Sequence, residues 1–471
     1  MKNKIMETLG VFVVFGIVLT ACSAIPAVEE VVTEIPITDI LDDLESEETS
    51  DPQDLAPAAR FTIEADSSLQ PMISALYESY FSGELPEFVE DGAALLVEFQ
   101  PEQTEFREEI LATFLPDAVL VPLLDDPEVQ LFIDFAISAD GQEVLIGIGA
   151  LPEAIQVTDQ AGNLVTINQP VRRVISAYGP STALVYSVGA GDRLVSASYL
   201  GARDPEGAAA MERIDPRFQE IMGDDNFNQS EFNIEQSAVL NTDLVLTSAR
   251  ADWLDAIDQL DIPVILFDPE TPEALQEAVL LTGQLFGPHT TAQAEVWVSY
   301  YNRVVSEIES RTTQIPTDER PQVLFTGTNA LRVASGEMYQ TDIIQAAGGK
   351  SVSSELYGFW NDVNLEQIAL WNPEIIIVPP YGGASVEAIT ESQEWQILDA
   401  VAAGKVYRMP KLVVPWDTPA PDSVLGIIWM AQLLNAELVD FDCSQEVAYF
   451  YPTFYNYAIS PEEVARICVF E

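Results

Sequence analysis

Aromatic rings and two arginines recur in this chain where they can grip a flat, partly anionic small molecule. Tyr178, Ser181, Tyr199, Arg250, Trp253, Asn329, Arg332, Tyr339, Trp360, Tyr381 and Trp416 all follow or closely flank expected strand ends. In open α/β sheets a ligand lies beyond the carboxyl ends of the strands. Rings placed there hold a chelate or macrocycle by stacking and area burial, at about 25 cal/mol per Å². Arg250 and Arg332 are suited to carboxylates or other anionic groups. They stand out in a chain with 20 basic and 76 acidic residues. Features of catalysis are sparse. There is no G-x-S-x-G elbow and no phosphate loop. The one histidine, His289, sits beside Pro288 and reads as a surface or capping residue. The three cysteines lack zinc spacing. A metal site built on histidine is excluded, no resident cofactor is expected, and haem held by tyrosine stays open.

The elements that must position these residues are written twice. NIEQSAVLNTDLVL begins at Asn233 and NLEQIALWNPEIII at Asn364. In each copy an Asn caps a short helix, and a Gln three residues later suits a capping box. A turn and a buried apolar strand follow. Strands alternate with helices on both sides of each copy, which implies parallel sheets with right-handed crossovers. A run without Gly or Pro from about Thr290 to Thr313 predicts one long helix between the halves, roughly 30 Å in length. The expected fold class is α/β, with two Rossmann-like lobes, 154–288 and 314–471, joined by a backbone helix over 289–313. Two such lobes make a cleft.

The net charge of −56 repels nucleic acid, whose binding rests on Lys and Arg neutralising phosphates. It reads as a solvated acidic surface. Lys2 and Lys4, the apolar stretch Val11 to Leu19 and the ending Leu19-Thr20-Ala21-Cys22 make residues 1–22 a signal peptide. The ending resembles a bacterial lipobox, with Cys22 as the lipidated residue, so the mature chain is expected outside the cytoplasmic membrane on a lipid tether. Residues 23–59 read as an acidic linker. Cys443 and Cys468 are expected to pair in that oxidising compartment. Residues 60–153 form a small α/β module. Its two ends, FTIEADSSLQPMISALYESYF and PEVQLFIDFAISADGQEVLIGIGALP, resemble the beginning and end of a molybdate- or phosphate-type periplasmic binding protein without its middle. The module therefore reads as a truncated remnant with a structural role.

Residues from about 155 to 467 resemble the substrate-binding proteins of the vitamin B12, ferric-siderophore and haem ABC importers. The marks are the opening TDQAGNLVTINQPVRRVIS, the twin segments, and the closing helix with its WDTPAP lead. The resemblance implies a monomeric carrier, not an enzyme. Its cargo would be an iron chelate or a corrinoid. It also implies one surface Glu per lobe that docks on arginines of the ABC transporter permease; these fall on Glu235 and Glu366. Glu at a helix start is favoured by about 0.3–1 kcal/mol without any partner. Two other readings stay open: a membrane-anchored α/β enzyme or chelatase-like protein, and a binding protein for an oxyanion such as molybdate or tungstate.

Overall fold

The computed structural model describes residues 60–100, 110–198, 205–222, 227–257 and 262–470. The signal peptide, the linker, Cys22 and Tyr199 lie outside them. Among the described residues no helix is long and apolar enough to cross a membrane.

The first module contains strands β1 (Thr62–Ala65), β2 (Glu87–Phe88), β3 (Leu95–Phe99), β4 (Ala112–Leu115) and β5 (Ala118–Pro122). They form one sheet in the order β2-β1-β3-β5-β4, with β5 antiparallel to both its neighbours. Helices α1 (Gln70–Tyr80), α2 (Pro127–Ile137) and α3 (Ala139–Gly147) cover it. Its core is its own, built on Ile63, Leu76, Tyr77, Leu120 and Phe132. The module thus has a hydrophobic cluster separate from that of the lobes. The module is fastened to the rest of the chain by polar contacts. Gln142 Nε2–H donates to the Phe286 carbonyl (2.7 Å), and Arg172 bridges Asp140 (2.6 Å) and Glu143.

A hairpin of β6 (Ala154–Thr158) and β7 (Leu164–Asn168) opens the second part. The N-lobe sheet follows. It is made of β8 (Val174–Ser176), β9 (Leu194–Ala197), β10 (Leu244–Ser248) and β11 (Val264–Phe267), all parallel in the order β11-β10-β8-β9. Every residue of β8 and β10 is buried, as expected for strands covered on both faces. The connecting helices are α4 (Gly179–Ser187), α5 (Pro205–Ile214), α6 (Phe218–Ile221), α7 (Ile234–Val239), α8 (Leu254–Ile257) and α9 (Pro272–Phe286). The backbone helix α10 runs over Pro288–Thr312. Trp297, Tyr300, Tyr301, Val304 and Ile308 are buried along it, three and four residues apart.

The C-lobe repeats the plan. Strand β12 (Gln322–Phe325), β13 (Arg332–Ala334), helix α11 (Tyr339–Ala346), β14 (Lys350–Ser351) and β15 (Trp360–Asp362) come first. Next are α12 (Leu365–Trp371), β16 (Ile375–Val378), α13 (Val386–Thr390), α14 (Asp399–Ala402) and β17 (Val406–Arg408). The sheet is parallel, β14-β12-β16-β17, while β13 and β15 make a separate antiparallel ribbon. Helices α15 (Ser423–Asn435), α16 (Cys443–Tyr455) and α17 (Pro461–Ile467) close the chain.

The twin segments match down to single bonds. Asn233 Oδ1 accepts from Gln236 N–H (3.0 Å), and Asn364 Oδ1 accepts from Gln367 N–H (2.8 Å). The reciprocal bond of a capping box is absent from both, so each cap is one-sided. Asn241 and Asn372 both turn through positive φ, 48° and 44°, where Asn is the usual non-glycine choice. The acid that follows takes backbone N–H groups of the adjacent strand's approach in each lobe: Asp243 from Arg172 and Arg173, Glu374 from Gln322.

Cys443 and Cys468 are bonded, tying α16 to the residue after α17. A 25-residue separation restricts the unfolded chain enough to stabilise the fold by about 3.5 kcal/mol. Reduction, or the pair Cys443→Ser with Cys468→Ser, should lower the urea midpoint, with a slope equal or slightly steeper because the unfolded chain is no longer cross-linked. An unshifted midpoint would show that the tail is held by packing alone.

Candidate ligand-binding cleft

The carboxyl ends of both parallel sheets carry the loops singled out in the sequence. Tyr178 caps the start of α4 and is buried to 8 % exposure. Burial, and then the carboxylate of Glu270, push its phenol well above the ordinary range, so it acts as a neutral ring and hydrogen-bond donor. Arg250 follows β10. It is paired with Asp268 (2.9 Å) and Glu270 from the neighbouring strand end, and its guanidinium lies 5.0 Å from the centre of the Phe359 ring. This contact crosses from the N-lobe to the C-lobe. Two carboxylates already neutralise Arg250, which corrects its expected role as an anion clamp. Its place is a bridge between the lobes.

Arg332 is different. It is half-buried on β13, and among the described residues its guanidinium has no ion pair or side-chain hydrogen bond. In the ribbon it stands opposite Asp362, with Trp360 opposite Ala334, so Arg332 and Trp360 share one face. Trp360 lies over the end of β12. A Cβ on Gly327 would come within 2.8 Å of its ring, which is why that position tolerates no side chain. Asn329 is exposed in the turn before β13, where its Oδ1 accepts from Leu331 N–H (3.1 Å). Tyr357 is 81 % exposed and Phe359 54 %. Ser335 and Glu337 hold Gly358 between them from below. The run Tyr357-Gly358-Phe359-Trp360 is therefore an aromatic rim facing Arg250. Sequence reasoning placed Trp360 at the site and left Phe359 out; three aromatic residues within four positions were the available signal.

Tyr381 follows β16 and is half-buried. Its hydroxyl donates to Asp417 Oδ2 (2.6 Å). Gly382, at φ 81°, lets this loop press on the backbone of Thr328, where a Cβ would come within 2.7 Å. Asp417 is fully buried, and burial pushes its carboxyl up to about 6. Gln340 Nε2–H donates to the Asp417 carbonyl (3.0 Å), while Asp417 Oδ1 and Gln340 Oε1 have no partner. Asp422, equally buried, takes bonds from Tyr451 (2.8 Å) and Tyr455 and is likewise raised to about 6 by burial.

Four expected ligand contacts belong to the interior instead. Ser181 has no exposed surface and donates to the Tyr178 carbonyl (2.7 Å), closing the first turn of α4. Trp253 packs against Phe232 at a tilt and donates its indole N–H to the Asn228 carbonyl (2.6 Å). Tyr339 is sealed against Ser423 (2.7 Å), and Trp416 gives its N–H to the Tyr451 hydroxyl (3.1 Å). In each case the polar atom is spent inside the protein, as buried polar groups must be. His289 is half-buried in the first turn of α10. Its Nδ1 lies 3.2 Å from the Leu111 carbonyl, joining the first module to α10, and burial lowers the pKa of its ring. Among the described residues no group of three or more His, Cys, Asp or Glu is placed to hold a metal ion.

Two parallel-sheet lobes, one long helix between them, and aromatic and cationic residues at the facing strand ends define a solute-binding protein of the kind that serves ABC importers. The chain belongs to the periplasmic binding protein family: the profile described as "Periplasmic binding protein" matches residues 174–412. The chain is 23% identical over 345 residues to the molybdate-binding protein MolA of Haemophilus influenzae, covering 68% of this chain and 96% of that protein. It is 27% identical over 274 residues to the vitamin B12-binding protein of Yersinia pestis, covering 57% and 85%. Among solved structures, a periplasmic solute binding protein from Veillonella parvula superposes with a TM-score of 0.58 at 26% identity, over 67% of this chain and 96% of that one.

Proposed function

We propose that this chain captures an iron chelate or a corrinoid outside the cytoplasmic membrane and delivers it to an ABC import permease, tethered by lipid on Cys22 and acting as a monomer. The observation that carries this reading is Arg332, a cation without a partner among the described residues, on one ribbon face with Trp360. Asp362 stands opposite it on the same face without forming an ion pair, so a ligand anion in the cleft would give the half-buried guanidinium a direct partner. Phe359, Trp360 and Tyr381 supply the flat apolar surface for a ring or chelate, with Tyr178 buried behind them. The first module serves as a structural spacer. A bare oxyanion is the second reading, favoured by Arg332 and by the likeness to MolA.

Titration of the purified chain with ferric citrate, haemin, cobalamin and molybdate, read by absorbance and tryptophan fluorescence, separates the cargoes. Arg332→Gln should weaken an anionic chelate by about 10- to 100-fold, the worth of one charge-assisted hydrogen bond. Trp360→Ala should weaken it and shrink the fluorescence change. Wild-type curves from both variants would remove this cleft from binding.

A further inference from the structure

The two flanks of the cleft are tied in unlike ways. On one flank lie β9 and β17, each the end strand of its sheet, and the tail of the chain joins them. Helix α17 is held to α5, the helix that follows β9. Arg213 of α5 forks onto Glu463 and lies 4.8 Å from the centre of the Tyr457 ring, and Arg466 meets Glu206. The residues after α17 return to the C-lobe. Trp429 Nε1–H donates to the Val469 carbonyl (3.3 Å), and the Phe470 ring packs on Trp429 and on Tyr407 of β17. The Cys443–Cys468 bond closes α16 and α17 into a ring. Its root is in the C-lobe, where Cys443 N–H donates to Gln432 Oε1 of α15 (3.3 Å) and Tyr451 and Tyr455 donate to Asp422. Toward the N-lobe, Gln293 of α10 donates to both the Ser187 carbonyl at the end of α4 (2.8 Å) and the Phe454 carbonyl of α16 (3.4 Å).

The other flank carries β11, the opposite end strand of the N-lobe sheet. There Arg250, held by Asp268 and Glu270, meets the half-exposed Phe359 ring of the C-lobe. Beside this contact the charges are alike. Glu273, at the start of α9 after β11, adds to burial in raising Asp342 of α11 to about 6, so two carboxylates oppose each other from the two lobes. We infer that the cleft is hinged along the tail and opens at Arg250 and Phe359, so that cargo enters and leaves by that flank. A disulfide-closed ring fixed to both lobes has a set length, and its forked ion pair is among the stronger polar contacts. An exposed guanidinium on a ring is among the weaker ones, and repulsion works against it here. The inference rests on the two-lobe capture proposed above and adds the direction in which the lobes part.

The test is the distance between paired spin labels on the full chain, measured by double electron–electron resonance. Asp252→Cys with Glu355→Cys reports the Arg250 flank, and Ala209→Cys with Ala388→Cys reports the tail flank; all four positions are exposed. The first pair should give a broad distribution, and the second a narrow one. Adding Arg250→Gln should shift the first pair to longer distances and leave the second alone. Phe359→Leu, which keeps the carboxylate pairs of Arg250, should repeat that shift. Arg213→Gln should broaden the second pair. Whichever of ferric citrate, haemin and cobalamin binds should associate with and leave the Arg250→Gln variant about two- to fivefold faster. A first pair as narrow as the second, or one that neither Arg250→Gln nor Phe359→Leu moves, overturns the inference. So does a second pair that is broad in the intact chain, or unchanged cargo rates beside a widened first pair. The distances need no cargo. The hinge can therefore fail while a chelate binds, and stand while every titration of the cleft is flat. Thermal melting of each variant reports folding independently.

Discussion

Reversing Glu235 and Glu366 to Arg together should abolish uptake of cargo by the source cell while leaving cargo binding and folding intact. Both residues are exposed in the first turns of α7 and α12, at equivalent points of the twin segments, and neither has an ion pair among the described residues. Four residues further on, Val239 is 77 % exposed and Leu370 80 %. An i, i+4 spacing places each on the helix face of its Glu. Each lobe thus offers the same unit, a carboxylate beside an uncovered aliphatic side chain, and a docking partner would need two equivalent cationic positions to match them. Turning two attractions into repulsions costs several kcal/mol, more than a hundredfold in affinity. The fold loses only the favourable helix-start charges, about 0.3–1 kcal/mol each. Rim charges act on encounter and apolar contacts on residence. Glu235→Gln with Glu366→Gln should therefore remove the salt dependence of association, whereas Val239→Ser with Leu370→Ser should speed dissociation and keep it. Normal uptake by the Arg double variant would end the docking role.

What was legible in the sequence was local. Asn233 and Asn364 announce their caps, and the apolar runs from Leu244 and Ile375 announce buried strands, because capping and periodicity act over a few residues. The long helix and the two sheets followed from the same signals. Side-chain direction was not legible. Trp253, Tyr339 and Trp416 sit near strand ends as expected, but a ring beside a cleft can turn toward the core, and these three do so. The neutralisation of Arg250 was hidden for a related reason. Asp268 and Glu270 reach it from the next strand end, 18 and 20 residues away, a proximity fixed by the pairing of β10 with β11 and not by spacing. The β13–β15 ribbon was missed because each strand is three residues long, too short for an alternating pattern to register.

The protein should be more stable at pH 4.5 than at pH 7, and the buried aspartates are the reason. Burial raises both Asp417 and Asp422 from 3.8 to about 6. A carboxyl whose folded value is raised binds its proton more tightly in the fold than in the unfolded chain. Its protonated form therefore adds stability that is complete below about 4 and is lost as pH rises through 6. Two fully buried groups displaced by about two units contribute on the order of 3 kcal/mol each. For Asp417 the added proton also gives its unpartnered Oδ1 a hydrogen to donate. His289 acts in the opposite sense, since burial lowers its ring and its contribution is lost as pH falls through the histidine range, and so does Glu463. Burial alone would raise it, but Arg213 and the Ser460 cap hold it near 2, so its contribution is lost as pH falls below about 4.5. These opposing slopes place the maximum in mild acid. Relief of repulsion in a chain of net charge −56 works in the same direction as the aspartates, but salt screens exposed charges far more than buried ones. Urea unfolding at pH 4.5 and 7 should therefore be run in 0.5 M salt as well as in dilute buffer. The difference should survive the salt and should shrink by about a third in Asp417→Asn, which cannot titrate, because burial raises Asp342 to about 6 as well. A difference that disappears in salt, or that Asp417→Asn leaves whole, would assign it to surface repulsion instead.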